Sequence, residues 1–399
     1  MVISVVLNII VALFIFLAII APLQSYFSVM LALFGIYFAI NCFYKKRSGK
    51  KWFSCNKINC NILRGFGLFF LCLFISSFIT LDMNNIGLTF SFFKAAMSFF
   101  MIFYMLTENR TVIGVQIGVL VSVLMISSCS FMQILENPSA RIDCFYGHPN
   151  DFAKMIISLV PCLIYLSWHM PMKFKLIAII ECVAIFFCLV MTASRGSLLS
   201  TSVGAIVAVL GVCQGRNWGY DKRKIKRVVL CLCLVIVVGI SSLWIIQSQR
   251  VGVSVTGGER IPMWESSVSM MIDHPMIGVG ATNWNREYVE KYHKPGVQEL
   301  NLGFPHNMFM YFGSCFGLIG LSGYILYLIL TIKGIFESNK MYGNVKVTCS
   351  LLMLFIAFAV EGCFDNTLNY KVPSVLYFTI FGYLVSQYIN SVRQNRGKN

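Results

Sequence analysis

Residues 307–331 read NMFMYFGSCFGLIGLSGYILYLILT, a run of twenty-five residues without a charged side chain. An α-helix rises about 1.5 Å per residue, so about 20 apolar residues are enough to cross the hydrocarbon core of a bilayer. Comparable runs recur from one end of the chain to the other. The sequence therefore predicts many membrane-spanning helices, of which this run is one.

The composition leads to the same fold class. Of the 399 residues, 57% are hydrophobic and 12% are charged, and the mean hydropathy is +0.75. A soluble domain carries about 25% charged residues, and a single core stops growing near 250–300 residues. These values exclude a soluble enzyme, a disordered chain and a peripheral protein with one anchor. They predict an all-α polytopic membrane protein, with residues 1–399 forming one integral membrane domain.

Apolar runs and their polar breaks predict about twelve transmembrane helices, with boundaries accurate to a few residues. They lie near 2–21, 26–44, 65–81, 88–106, 112–132, 151–168, 176–193, 197–213, 229–247, 307–331, 347–364 and 374–390.

The net charge of +16 would suggest a nucleic-acid partner in a soluble protein, but here the basic residues are sorted by side. Of the 32 Lys and Arg, 22 fall in the connections on one side of the predicted membrane and 8 in those on the other. The positive-inside rule places the rich side, and both termini, in the cytoplasm. The charge therefore orients the protein, and membrane lipids replace nucleic acid as the expected surroundings.

The connection over 248–306, between spans nine and ten, is the longest on the outer side. Loops beyond about 15 residues are usually functional or disordered, and this one contains tryptophan and methionine. Residues 260–272 place apolar side chains at helical spacing, which predicts an amphipathic helix lying at the membrane surface. Those side chains are Ile261, Trp264, Val268, Met271 and Ile272.

Two outer segments precede this loop. The first is Gly147-His148-Pro149-Asn150-Asp151, for which a turn with Asn or Asp as helix cap is the plain interpretation. His148 is open between a surface residue and a member of a site. The second is Thr192-Ala193-Ser194-Arg195-Gly196-Ser197. Arg195 either snorkels to the headgroups or binds an anion through its planar guanidinium. Ser197, near the N-cap of the next helix, would add free N–H groups.

Two further segments involve the long loop. Arg260 begins the amphipathic helix, as a solvated loop charge or as a cation held over the membrane. Gly278-Val279-Gly280 marks a tight turn. Pro305-His306-Asn307 opens span ten, where His306 is an interfacial residue, a base, or a group that orients a hydroxyl.

Acidic residues and absent motifs complete the site prediction. Glu361 and Asp365 are four residues apart and could share a helix face, as functional carboxylates or as partners of Arg or Lys. The sequence contains no D-x-D pair, no H-E-x-x-H, no G-x-S-x-G and no phosphate-binding loop, so no metal site and no cofactor is predicted.

Together these segments resemble the superfamily of O-antigen ligases and O-antigen or capsular polysaccharide polymerases, which are bacterial membrane glycan transferases. The matching pieces are G-H-P-N-D-F-A at 147–153, T-A-S-R-G at 192–196, R-I-P-M-W through D-H-P-M-I-G-V-G at 260–280, and F-P-H-N-M-F-M-Y-F-G at 304–313. Their order and spacing around a long late loop are more specific than any one piece. The resemblance covers roughly 145–325.

The resemblance implies a helical architecture like that of the GT-C glycosyltransferases, in the cytoplasmic membrane of a bacterium. It implies metal-independent transfer of an undecaprenyl-diphosphate-linked glycan, at the outer leaflet, to a glycan acceptor. The phosphate-binding arginines of the family match Arg195 and Arg260, and its histidine matches His306. Substrate contacts are expected among six further residues: His148, Asn150, Asp151, Asn307, Glu361 and Asp365.

Several activities stay open at this stage. A repeat-unit polymerase and a ligase that uses lipid A–core as acceptor are nearly even, a protein O-glycan transferase is a third activity, and flippase and chain-length regulator proteins are candidate partners. The competing class is a transporter such as a lipid-linked-oligosaccharide flippase, in which Lys94, Lys154 and Glu181 would be the polar groups near the midplane. A structural or sensory membrane protein is the remaining alternative.

Overall fold

The computed structural model describes residues 2–20, 58–109, 112–138, 140–213, 260–295, 303–369 and 371–396. Within these ranges every regular element is helical, and seven of the helices are long and apolar enough to cross a membrane. The chain is therefore an all-helical polytopic membrane protein. The spans predicted near 26–44 and 229–247 lie outside the described residues.

The described helices follow the apolar runs of the sequence, because a helix satisfies its own backbone hydrogen bonds where no water is present. Each of the ten remaining predicted spans overlaps one of helices α1–α7 and α10–α12. In chain order the elements are α1 (Val2–Ile20), α2 (Cys60–Ile79), α3 (Met83–Asn109), α4 (Val112–Glu136), α5 (Pro149–His169), α6 (Met172–Met191), α7 (Arg195–Cys213), α8 (Arg260–Asp273), α9 (Trp284–Glu287), a π-helical turn (Tyr288–Tyr292), α10 (Met308–Tyr342), α11 (Val345–Glu361) and α12 (Lys371–Arg396).

Three helix pairings have the most extensive contacts in the bundle: α10 lies along α2, α11 lies along α7, and α12 lies along α3. Small residues stand where the backbones come closest, as is usual between helices in lipid. A Cβ on Gly204 of α7 would meet the Met353 carbonyl of α11 at 2.7 Å, and one on Gly323 of α10 would meet Cys72 of α2 at 2.7 Å. The pairing of α7 with α11 matters most for the site, because both helices have an end there.

Helix α10 is interrupted at Gly317, which has φ +65° and ψ −165°. The segment that follows α8 crosses the helix at this break. The Leu318 amide donates to the Pro275 carbonyl at 2.7 Å, and the Val279 amide donates to the Ser314 carbonyl at 2.8 Å. These bonds replace helical bonds lost at the break, as a broken helix in a membrane requires.

The glycines of the crossing segment fit this contact. Gly278 and Gly280 have φ values of +68° and +87°, which only glycine adopts without strain. The Gly280 amide donates to the Cys315 carbonyl at 3.0 Å. The two glycines therefore do more than the predicted tight turn, since they dock the long loop onto α10.

Helix α8 occupies the part of the long loop where the sequence predicts an amphipathic helix. Its protein-facing side consists of Met263, Ser266, Ser267 and Met270. The apolar Ile261, Val268 and Ile272 are exposed. These three side chains belong to the stripe expected to contact the membrane surface, so α8 uses one side for the protein and presents the other outward.

Replacing Gly317 with alanine is expected to destabilise the protein. A left-handed non-glycine residue costs about 1–3 kcal/mol, and the new Cβ would lie 2.3 Å from the Met276 carbonyl. Thermal unfolding of the purified protein in detergent should show a clearly lower melting temperature. Gly67→Ala in α2 is the matched control, because no atom lies within 4 Å of its added Cβ. An unchanged melting temperature for Gly317→Ala would contradict the close contact between the loop segment and the break in α10.

Candidate active site

Polar and charged side chains converge at one end of the bundle, where α5, α7 and α10 begin and α11 ends. This end is called the site face below. Its central group, the site cluster, comprises His306, Asp365, Lys154, Asp151 and Glu361. Hydrogen bonds between elements hold this end together: the Met308 amide at the start of α10 donates to the Gly362 carbonyl at 2.6 Å.

His306 stands immediately before α10 in a constrained position. Its φ is +49°, a region that few non-glycine residues occupy and that is enriched at functional sites. The next residue, Asn307, caps α10 by accepting from the Phe309 and Met310 amides at 2.9 and 3.1 Å. Its amide nitrogen donates to the Cys363 carbonyl at 2.9 Å. The sequence expected Asn307 at the substrate, and the structure places it as the cap that fixes His306.

The imidazole of His306 is paired with a carboxylate. Its Nδ1 lies 2.8 Å from Asp365 Oδ1, and the histidine side chain is 26% exposed. A proton on Nδ1 directed at Asp365 leaves Nε2 as the basic nitrogen. The ring is therefore oriented from the protein side and open to the outside, which is the arrangement a general base requires.

Asp365 is itself held by a buried lysine. Its Oδ2 lies 2.7 Å from Lys154 Nζ, and the two side chains are 4% and 0% exposed. Burial alone would raise the pKa of Asp365, but the Lys154 ammonium and the His306 imidazole outweigh it, so the pKa lies below its ordinary value. The carboxylate is thus ionised across the neutral range, and its stabilising contribution is lost only as the pH falls through that lowered pKa.

Lys154 also contacts Asp151, whose Oδ1 lies 3.1 Å from Nζ. The sequence interpretation placed Lys154 near the bilayer midplane as a transporter-type residue and did not include it in the site. The signal was present, because a charge within an apolar run needs a partner or a polar cavity. The partner could not be identified, because it lies far away in the chain.

Glu361 is buried at the end of α11 and is held by serines of α7. Its Oε1 accepts from Ser197 and its Oε2 from Ser200, both at 2.9 Å. Ser197 lies in the first turn of α7, close to the helix start as predicted, and its hydroxyl is used by Glu361. Of the two acidic residues expected to share a helix face, Glu361 ends α11 and bonds hydroxyls, whereas Asp365 lies beyond the helix and pairs with Lys154.

Arg195 is the first residue of α7, next to the serines that bind Glu361. Its side chain is exposed, and the turn before it contains Ala193 with φ +53°. Arg260 is the first residue of α8 and is half-buried. Helix α8 reaches the site through Trp264, whose indole donates to the Pro305 carbonyl at 2.9 Å. Both arginines thus begin helices that are tied to the site cluster.

An arginine that the sequence analysis did not place in the site joins two predicted segments. Arg141 Nε donates to the Thr192 carbonyl and its Nη2 donates to Asn150 Oδ1, both at 2.8 Å. Asn150 is therefore engaged by Arg141, and the carbonyl before the left-handed Ala193 is fixed. The sequence carried no pattern that would have linked these positions.

The predicted cap of α5 was wrong in its residue. His148 caps the helix, with its Nδ1 accepting from the Asn150 amide at 3.2 Å. Proline occupies the first helical position, so the residue before it is extended and becomes the cap.

Across the described ranges, no group of three or more His, Cys, Asp or Glu side chains is arranged to hold a metal ion. Among the described residues, Lys154, Arg141 and Arg195 contribute positive charge at the site face.

Residues 180–325 match the family model described as O-antigen ligase. The chain carries an O-antigen ligase domain. This confirms the resemblance found in the motifs, over a narrower range than 145–325. A search of curated proteins found no match to the chain. The matched segment, 146 of the 399 residues of this polytopic membrane protein, is thus similar to enzymes of the O-antigen ligase family, which act in polysaccharide and lipopolysaccharide synthesis.

The O-antigen ligase domain includes Arg195, Arg260 and His306 but not the buried charged residues Lys154, Glu361 and Asp365. Lys154 precedes the matched segment, and Glu361 and Asp365 follow it. The site is therefore assembled by packing the matched segment against helices on both sides of it in the chain.

Arg141→Ala is expected to loosen the turn that leads into Arg195. Each hydrogen bond from a charged donor contributes about 1.5–3 kcal/mol, so amide hydrogen exchange over residues 192–197 should accelerate by about tenfold or more. Hydrogen–deuterium exchange with mass spectrometry measures this directly. Arg286→Ala removes an exposed arginine that contacts its neighbour Glu287 and serves as control. Equal exchange rates in both variants would contradict the proposed role of Arg141 in holding the turn before Arg195.

Proposed function

We propose that the protein is a glycosyltransferase that moves a glycan from undecaprenyl diphosphate to an acceptor glycan at the outer face of the cytoplasmic membrane. The observation that carries the proposal is the His306–Asp365 pair, set at an end of a membrane bundle where Arg195 begins α7. A base and a cation at one end of the bundle suit an acceptor hydroxyl and a diphosphate leaving group.

The leaving group sets the electrostatic demand. As the glycosidic bond breaks, negative charge grows on the departing diphosphate, and donors aimed at that charge lower the barrier. We assign this role to Arg195, which is exposed at a helix N-terminus where the helix dipole favours anions. Arg260 on α8 is the second phosphate ligand in the proposal. The two arginines then supply the positive charge that a divalent metal supplies elsewhere, so transfer is metal-independent.

The acceptor sets the demand for a base. His306 takes the proton of the attacking hydroxyl, or orients that hydroxyl, while Asp365 stabilises the imidazolium. Attack opposite the leaving diphosphate inverts the anomeric carbon. Asp151, which is half-buried, and His148, which is exposed, are the candidates for sugar contacts. Asn150, Asn307 and Glu361 act in this proposal by holding the site together.

The same chemistry serves three acceptors. A lipid-linked repeat unit makes the enzyme a polymerase, and lipid A–core makes it a ligase, with a protein acceptor as a third variant. A flippase that delivers the donor and a chain-length regulator are the partners that fit the first two. The pairing of Lys154 with Asp365 favours a transferase over a transporter. Lys154 is one of the charged residues that a transporter would need near the membrane midplane, and this ion pair places it at the site face instead.

We further propose a GT-C-like bundle of twelve spans with both termini in the cytoplasm and the site face outside. The excess of basic residues on one side supports this orientation. The site face then opens toward the outer leaflet, where the lipid-linked donor is expected.

Reconstitution with a purified lipid-linked repeat unit tests the reaction. Arg195→Ala is expected to lower kcat by about 10²–10³, the usual cost of a lost transition-state donor, and His306→Ala by about 10²–10⁴, the usual contribution of a positioned base. Arg286→Ala and His274→Ala, both at exposed positions, are the matched controls. Normal product from both site variants at equal protein levels would sink the proposed site, and loss of activity on chelation would contradict metal independence.

Cysteine labelling in intact cells tests the orientation. None of the 15 native cysteines lies in 248–306, and R286C places a thiol at an exposed position of that loop. A membrane-impermeant maleimide should label R286C and leave Cys60, which is exposed at the other end of the bundle, unmodified until the cells are opened. The reverse pattern would invert the topology.

A further inference from the structure

Lys154 holds an unusual place in the site cluster, because its ammonium group is fully buried between two carboxylates. Nζ lies 2.7 Å from Asp365 Oδ2 and 3.1 Å from Asp151 Oδ1. Moving one ion from water into the protein interior costs about several kcal/mol. A buried ammonium ion is therefore stable only where close partners of opposite charge offset this cost. We therefore expect a buried lysine to have a role toward the carboxylates that it contacts. The proposed reaction assigns no role to Lys154.

The two oxygens of Asp365 face different groups. Oδ2 lies on Lys154, whereas Oδ1 contacts His306 Nδ1 at 2.8 Å and accepts from the Asn366 amide at 2.7 Å. The three side chains come from three separate elements: α5, the turn after α11 and the residue before α10. The carboxylate is thus held from both sides and cannot rotate away from the histidine without breaking the ion pair.

We propose that Lys154 is a positioning residue: it holds the Asp365 carboxylate in place beside His306 and offsets the negative charge of that carboxylate. This inference rests on the proposed function, in which His306 acts as the base. Lys154 does not touch substrate in this arrangement, and it acts through Asp365.

The surrounding charges give the direction of the effect. Asp151 faces the cluster from α5, Asp365 from the turn after α11, and Glu361 from the end of α11, where it bonds Ser197 and Ser200. Among the residues that the structure describes, Lys154 contacts both Asp365 and Asp151. Without it, uncompensated negative charge would stabilise the imidazolium, so His306 would hold its proton to higher pH and be a weaker base near neutrality.

The test is the pH dependence of His306 modification by diethyl pyrocarbonate, which reacts with the neutral imidazole. The full-length protein in nanodiscs is treated across pH 5–9, and mass spectrometry resolves His306 from the other four of the five histidines. Lys154→Met should raise the midpoint by about one pH unit, as expected for a charge lost within a few ångströms. Lys154→Arg, which keeps the cation, should restore most of the wild-type midpoint.

Two comparisons separate positioning from a general structural effect. Lys94→Met removes a lysine from α3 and should leave the midpoint of His306 unchanged. In an Asp365→Asn background, Lys154→Met should have little further effect, because the group through which it acts is gone. If Lys154→Met does not fold, Lys154→Gln keeps donors toward both carboxylates while removing the charge, and the same upward shift is expected.

The outcomes distinguish this inference from the proposed function. An unchanged or lowered midpoint in the lysine variants overturns the inference and leaves the transfer assay of Arg195→Ala and His306→Ala standing. A raised midpoint supports it whether or not glycan transfer is detected. Where transfer is detected, the acidic limb of its pH profile should move in the same direction and by a similar amount.

Discussion

A charge that leaves water must find a partner, and at the site face this requirement is met by the ion pair between Asp365 and Lys154. Both side chains are buried, so each would be costly without the other. The pair joins α5 to the turn after α11, and through Asp365 it reaches the residue that opens α10. Glu361 is also buried, and its partners are the serine hydroxyls of α7, so that it joins α11 to α7. The position of His306 thus depends on charges and hydrogen bonds that also hold four helices together.

The helices could be predicted from the sequence because lipid imposes a simple rule on each segment separately. A run that cannot pair its backbone with water forms a helix of sufficient length, and this needs no knowledge of neighbours. His306 and Arg195 could be singled out for a related reason, since polar residues at the ends of apolar runs are few. The O-antigen ligase motifs then ordered those residues along the chain.

What the sequence could not show depends on contacts between distant segments. Lys154 is visible as a charge in an apolar run, but its partner Asp365 is 211 positions away. The break at Gly317 is imposed by the segment around Pro275 and Gly278, which occupies the space a continuous helix would need. The carboxylate that accepts from Ser197 of α7 also lies far away in the chain, at the end of α11. Each of these features depends on packing between segments, which local sequence does not show.

The interruption of α10 divides that helix into parts with different attachments. Leu318–Tyr342 runs along α2 as a continuous span, whereas the short stretch from Met308 to Phe316 has the long loop at both of its ends. Trp264 holds one end through Pro305, and the segment from Pro275 to Gly280 holds the other. His306 therefore directly precedes a short helical segment that the long loop contacts at both ends. A displacement of that loop would therefore be transmitted to His306 through the Pro305 carbonyl and through the break at Gly317, whereas the part of α10 beyond the break is held by α2.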